Sequence, residues 1–372
     1  MFSKNKCPKC GARNSKERMT CAACGAPLAL VQAKGQLTEV PLEGKPNLAV
    51  NMWLQIRMFL LVALLFGILY GVFTGIGTWR GVGSAVTYVI IAFVFLGIQY
   101  LIGPSIVGRV MKIKWVSEKE EPDLHRMVAE LSEKANLPKP RVGISQLAIP
   151  NAFAFGRTQR DGRVCVTRGI LNLLNRDELR AVLGHEIAHI KHRDMAIITL
   201  ISAIPLIMYW IALSMMFSGA FGGRRGGGGY GALIGLGAFL LYFLTNLLVL
   251  YGSRIREYYA DLDSVKLGSM PHHLASALYK LVYGNARFKG SQELKRVEGV
   301  KAFFLNDPSQ AWREIRELSQ IDRDMSGTID YDELMELRQK KLRLGTGDKL
   351  MELFTTHPNM LKRIKHLSTL TV

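Results

Sequence analysis

The chain has 372 residues, 48 lysines and arginines against 30 aspartates and glutamates, a formal charge of +18, and 49% hydrophobic residues. That length holds two or three compact units, and its long apolar blocks alternate with charged ones, which excludes an ordinary soluble globular protein. The basic residues flank the apolar blocks and the tail carries an acidic cluster, so the charge suits a lipid bilayer and argues against a nucleic-acid partner.

Four of the five cysteines, Cys7, Cys10, Cys21 and Cys24, form two C-x-x-C pairs near the N-terminus. This is the spacing of a tetrathiolate metal site, not of a secreted disulfide framework. Residues 1–28 therefore read as a zinc ribbon whose folding free energy comes from one structural zinc. Such a ribbon offers a surface to a protein partner or to the rest of the chain. Reduced thiols, with no apolar leader before them, place the N-terminus in the cytoplasm. Residues 29–52 read as a linker.

Apolar blocks at 54–76, 84–103, 196–218 and 231–252 are each long enough, as helices, to cross a bilayer. Pro205 predicts a kink in the third. Trp53, Trp79, Tyr100, Tyr230 and Tyr251 fall at span ends, as an aromatic belt would. The blocks pair into hairpins at 53–103 and 196–252, leaving 104–195 and 253–372 outside the bilayer. The Lys/Arg bias puts both termini and the middle segment on the cytoplasmic side of a cell membrane.

Within 104–195, residues 120–135 have helical apolar spacing, and the runs RVGISQ, NAFAFG and VCVTRGIL read as strands. Asp161-Gly162 signals a hairpin turn between the last two. Cys165, alone in a strand, reads as a buried apolar side chain. A long helix follows, NRDELRAVLGHEIAHIKHRD, opened by a capping box of Asn175 and Glu178. It contains HEIAH. His185 and His189 stand one turn apart on one face and can hold one zinc, with Glu186 beside them as the base for water.

Such a site needs a third protein ligand and an open position. His192 is about 10 Å from His185 along the axis, too far to share the ion on a straight helix. Glu257, in SRIREYYAD, is the better candidate, with Asp261 one turn on to orient a ligand histidine. The alternative is a charged juxtamembrane helix in which Glu257 and Asp261 pair with Arg254 and Arg256.

Residues 309–345 contain DRDMSGTIDYDE between two helix-patterned segments. Its spacing is that of an EF-hand loop for calcium. Asp322, Asp324 and Ser326 take the first, third and fifth positions and Gly327 the sharp turn. Thr328 offers its carbonyl, Asp330 is ninth, and Glu333 closes the loop. The loop lies between Glu257 and His357 in the chain, which suggests that calcium modulates whatever the site does.

NAFAFG, HEIAHIKHRD, the apolar hairpin after it, SRIREYYAD and the late THPNMLKRI occur in an order that resembles the HtpX family of membrane-bound zinc metalloproteases, relatives of the CAAX prenyl proteases. The resemblance covers roughly residues 53–270 and 350–370. It implies an α+β, mainly helical fold: a membrane-anchored, gluzincin-like protease domain with about four transmembrane helices. By it, His185, His189 and Glu257 hold a catalytic zinc, Glu186 is the general base and Asp261 supports the ligands. His357 and Arg363 would stabilise the oxyanion, and Asn151, Ala152, Phe153 and Ala154 would form the strand that receives an extended polypeptide substrate. The implied substrates are unfolded or damaged membrane proteins. The rival readings are a non-catalytic calcium-sensing membrane scaffold, against which the intact Glu186 argues, and a prenyl-peptide protease.

Overall fold

The computed structural model describes residues 5–6, 13–14, 48–80, 82–221, 228–297, 304–305, 311–318, 320–340 and 345–370. The chain forms two compact units, Met1–Lys45 and Pro46–Val372. In the first, β1 (Asn5–Lys6) pairs antiparallel with β2 (Arg13–Asn14), Lys6 opposite Arg13. Cys7, Cys10, Cys21 and Cys24, and most of the predicted linker, lie outside the described residues.

The second unit opens with two apolar helices, α1 (Leu48–Arg80) and α2 (Val82–Val110). Helix α2 passes through Pro104, beyond the boundary expected at residue 103. A membrane helix tolerates such a proline because neighbouring groups re-satisfy the freed carbonyl. Strand β3 (Ile113–Trp115) follows, then α3 (Pro122–Lys134), begun by Pro122 in its first turn. Strands β4 (Arg141–Ser145), β5 (Ala152–Phe155) and β6 (Arg163–Thr167) complete a four-stranded sheet of order β3-β4-β6-β5. β4 and β6 are parallel and the outer pairs antiparallel, which leaves β5 at an edge.

Strands β5 and β6 form the expected hairpin, but Asp161-Gly162 is not its tight turn. A 3-10 turn at Gln159–Asp161 intervenes, capped by the Thr158 side chain, and Gly162 is extended at φ −62°. The left-handed demand falls on Gly156 (φ 153°), where a Cβ would lie 2.4 Å from the Asp161 carbonyl oxygen.

After the short α4 (Arg168–Leu173) comes α5 (Arg176–Lys191). Its start is the predicted capping box, with Asn175 and Glu178 each accepting the other's backbone N–H. Its end differs from the prediction. The helix stops at Lys191, Arg193 turns left-handed (φ 55°), and α6 (Asp194–Ile201) starts in a new direction. A break at Ser202 precedes α7 (Ala203–Phe221). The ring of Pro205 would clash with the carbonyl of Ile201, so the expected kink is a break. The fourth span is part of α8 (Gly228–Lys266), which carries Glu257 and Asp261 on the same uninterrupted helix.

Then follow α9 (Pro271–Ala286), α10 (Gln292–Val297), α11 (Ala311–Leu318), α12 (Tyr331–Gln339), α13 (Thr346–Glu352) and α14 (Met360–Leu370). Among the described residues, four helical segments are long and apolar enough to cross a membrane: Met52–Val72, Phe93–Val110, Asp194–Met216 and Leu233–Lys266.

Helix α5 is the centre of the unit. Every residue from Ala181 to Ala188 is buried, between the sheet on one side and α8 and α9 on the other. Gly184 lets α8 come close: a Cβ there would sit 3.1 Å from Ser264 Oγ, which donates to the Ala181 carbonyl at 2.7 Å. Glu178, 2% exposed, ties α5 to α9 by accepting from Ser276 Oγ (2.6 Å) and Lys280 Nζ (2.9 Å). Glu178→Ala would remove one half of the capping box and strand a half-buried lysine, at a cost of about 3 kcal/mol. The expected outcome is a lowered thermal midpoint in detergent, with Glu178→Gln falling between the variant and the parent.

Candidate active site

Helix α5 sets His185 and His189 one turn apart, and α8 brings Glu257 against them. His185 Nε2 lies 3.1 Å from His189 Nε2 and 3.6 Å from Glu257 Oε2, and His189 Nε2 lies 3.5 Å from Glu257 Oε1. Ligands about 2.0–2.1 Å from a tetrahedral zinc stand about 3.3–3.4 Å apart. This near-equilateral triangle of two nitrogens and a carboxylate therefore fits zinc in size and in donor type.

Each imidazole is held from behind. His185 Nδ1 is 2.9 Å from Asp261 Oδ1, and His189 Nδ1 is 2.6 Å from Asp194 Oδ2. A carboxylate at Nδ1 fixes the tautomer and leaves the Nε2 lone pair for a metal. The two rings titrate apart. Burial depresses His185, but hydrogen bonds to Asp261 and Glu257 outweigh it and hold the ring up to about 9. Burial and the neighbouring His185 bring His189 down to about 4.

Glu186 is buried, and burial raises its carboxyl above the usual range although the backbone of Ala154 hydrogen-bonds to it. It faces a cavity of about 310 Å³ shared by His185, His189 and Glu257. Ala152, Phe153 and Ala154 of the edge strand β5 form one wall, and Phe304, Leu305 and His357 contribute another. Asn151 stands apart. It is fully buried and its Oδ1 accepts from the Leu305 amide at 3.0 Å, so it holds the cavity wall.

His357 and Arg363 differ in position. His357 Nδ1 lies 3.3 Å from Glu257 Oε2, and among the described residues its Nε2 has no hydrogen-bond partner. Arg363 is fully buried behind the ligands. It holds Asp261 with Nε (3.0 Å) and Nη2 (2.6 Å), donates from Nη1 to the Leu305 carbonyl (2.9 Å), and stands 3.0 Å from Glu257 Oε2. These carboxylates outweigh its burial and raise its affinity for the proton. The geometry suits Arg363 to holding Glu257 and Asp261, and His357 to meeting a ligand.

Asp194 is the functional side chain that sequence reasoning passed over. In one continuous helix it would sit about 140° around from His189; the left-handed Arg193 folds it back. Arg256 then pairs with Asp194. His192 is drawn away from the centre to Asp263 Oδ2 at 2.9 Å. The alternative pairing of Glu257 and Asp261 with Arg254 and Arg256 does not form: Arg254 donates to the carbonyls of Glu352 and Thr355.

The acidic loop forms a second cluster. Carboxylate oxygens of Asp322, Asp324 and Glu333 lie within 4.8 Å of one another. Asp322 accepts from the amides of Ser326 and Gly327 and from Tyr279 Oη, which ties the loop to α9. Gly327 takes the left-handed turn (φ 77°), and Asp330 caps α12 by accepting from the Glu333 amide. The Ser326 hydroxyl contacts Thr328 Oγ1 at 2.9 Å.

Residues 118–371 match the model of peptidase family M48, and residues 6–28 match a zinc-ribbon domain. A protease HtpX homolog of Methanothermobacter thermautotrophicus is 54% identical over 234 residues, 63% of this chain and 88% of that one. Those of Pyrococcus furiosus (41%; 63% and 80%) and Moorella thermoacetica (34%; 85% and 92%) are also similar. Among solved structures, the crystal structure of S. mikatae Ste24p aligns with a TM-score of 0.42 at 17% identity, over 86% of this chain and 67% of that one.

Removing the carboxylate behind a ligand histidine loosens the ring. Asp194→Ala should weaken zinc binding about tenfold to a hundredfold, read by competition with a chromogenic chelator. Unchanged affinity would mean that Asp194 serves Arg256 alone.

Proposed function

We propose a defined reaction for this chain, which belongs to peptidase family M48: zinc-dependent hydrolysis of peptide bonds within unfolded or damaged membrane proteins, at the cytoplasmic face of a cell membrane. That it is a membrane metalloprotease follows from the family and its HtpX relatives. The observation that carries the finer reading is the donor triangle of His185, His189 and Glu257, with Glu186 beside it, in a cavity walled by β5, an edge strand among the described residues.

Zinc held by these three residues would supply a Lewis acid for the scissile carbonyl and acidify water at neutral pH. Glu186 takes the proton from water and passes it to the leaving amine. Its burial suits that task, because a carboxyl with a raised proton affinity can both accept and return a proton. An extended substrate lies along β5 as an added strand, its backbone meeting Ala152 to Ala154. His357 donates to the developing oxyanion, while Arg363 and Asp261 hold the ligands in register.

Two further proposals attach to this reaction. Cys7, Cys10, Cys21 and Cys24 hold a structural zinc, supported by the match to a zinc-ribbon domain, and the ribbon presents a contact surface for a protein partner. The loop of Asp322, Asp324, Ser326, Thr328, Asp330 and Glu333 binds calcium and modulates proteolysis. What supports modulation is a short mechanical route: α12, entered from the loop, packs on α14, which carries Arg363 to Glu257.

Glu186→Gln should keep zinc but lose at least about 10² of the rate on an unfolded model protein. Chelation should silence the parent chain, and added zinc should restore it. Equal rates for parent and Glu186→Gln would refute the proposed base. Calcium should change the parent's rate, and Glu333→Gln should abolish that response without changing zinc content. A flat calcium response in a chain that binds calcium by calorimetry would end the regulatory reading.

A further inference from the structure

We infer that α13 and the turn after it form a second membrane contact, a cap seated among lipid acyl chains that fixes the loop bearing His357. Leu350, Leu353 and Phe354 are 63%, 44% and 50% exposed. Phe354 stacks toward α8, its ring centroid 6.1 Å from that of Phe243. Phe243 lies within the apolar part of α8, where Phe239, Leu240 and Leu244 are also exposed. The apolar face of α13 is thus continuous with the wall that α8 turns toward lipid. Phe243 precedes Arg254 by eleven residues, about 16 Å along the helix, so Phe354 reaches well below the charged end of the span.

The backbone supplies an independent argument. Among lipid, every carbonyl needs an internal donor, because no water is available. Arg254, 7% exposed, spends its Nη1 on this turn. It donates to the carbonyls of Glu352 (2.9 Å), Thr355 (2.8 Å) and, more weakly, Leu353 (3.4 Å). The amides of Leu353, Phe354 and Thr355 bond back to Leu350, Met351 and Glu352. The carbonyls of Glu352, Leu353 and Thr355 thus have the internal donor that a turn among lipid requires. Glu352 turns away from the apolar side chains: it pairs with Lys362 and accepts from the Asn359 amide at 3.3 Å, and Asp348 of α13 lines the polar cleft it shares with Arg313 and Glu317.

The contact reaches the active site through a few bonds. Thr355 Oγ1 donates to the His357 carbonyl at 2.7 Å, and the turn that orders Thr355 is the one Arg254 ties down. Seating Leu350, Leu353 and Phe354 in the bilayer therefore sets where the His357 ring stands against Glu257. The membrane contact itself rests on the spans and not on the protease reading; only its effect on His357 depends on that reading.

The test uses the full chain in vesicles of phosphatidylcholine and phosphatidylglycerol, doped with a phospholipid carrying a diazirine on its acyl chain. After illumination, adducts are mapped by mass spectrometry. The expected result is lipid adducts on the 350–354 peptide as well as on the spans, and none on the 322–336 loop. Labelled spans with an unlabelled 350–354 peptide would overturn the contact, whether that peptide faces water or a second copy of the chain. Leu350→Glu combined with Phe354→Glu should remove these adducts and lower kcat severalfold at constant zinc content. Adducts lost with kcat unchanged would overturn the link to His357 and leave the lipid contact standing. Should that variant fail to fold, the labelling of the parent chain still decides.

Discussion

Helix α8 has to satisfy two environments along one uninterrupted axis. Its first half is apolar and turns Leu236, Phe239 and Leu240 outward. Its second half carries Arg254, Arg256, Glu257, Asp261 and Asp263, all at most 7% exposed. Buried charges at the mouth of a bilayer are tolerated only if each is paired. The rest of the unit is arranged around meeting that demand: His185, His189 and Arg363 surround Glu257, Arg363 and His185 share Asp261, and Asp194 answers Arg256. Lys191, His192 and Lys266 converge on Asp263.

The close approach of α5 makes this pairing possible. At Gly184 the two helices come near enough for Ser264 to bond the Ala181 carbonyl. One residue later His185 reaches both Glu257 and Asp261. A bulkier residue at 184 would move the histidines away from their carboxylates and leave buried charges unpaired, so the donor triangle and the stability of the helix pair share one contact. The same economy explains why Arg363 is so deeply placed. A lysine could balance the charge, but only a planar guanidinium can bond Asp261 through two nitrogens and still donate to Leu305.

Local patterns in the sequence carried much of this. Periodicity found the apolar spans, the capping box found the start of α5, and the spacing of His185 and His189 needed only helical geometry. Glu257 was legible as a candidate because a zinc site needs a third ligand, and Asp261 because it falls one turn on. What stayed hidden depended on backbone direction. Asp194 becomes a partner of His189 only through a left-handed residue at Arg193, a conformation that arginine gives no cue for. The Asp161-Gly162 turn was misplaced for a related reason: the side chain of Thr158 and the freedom of Gly156 set the loop instead. The different positions of His357 and Arg363 depend on which of two nearby side chains has its hydrogen bonds already used, and no spacing rule encodes that.

The cavity is assembled from parts far apart in the chain: β5, the end of α5, the base of α8, Leu305 and the loop before α14. Most are locked by the sheet or by the α5–α8 contact. The exception is the loop before α14, which Arg254 holds from outside; α14 itself packs on α8, α9 and α12 and buries Leu361, Ile364 and Leu367 in the same core as α5. A modulator acting on the sheet or on α5 would have to disturb the core. One acting on the loop before α14 needs only to shift His357 against Glu257, where a displacement of an ångström or less changes how a donor meets the developing charge. The acidic loop precedes α12, and the exposed apolar side chains lie on α13 and the turn after it. The apolar side chains therefore bear on the loop that carries His357, and the acidic loop bears on α14 through α12.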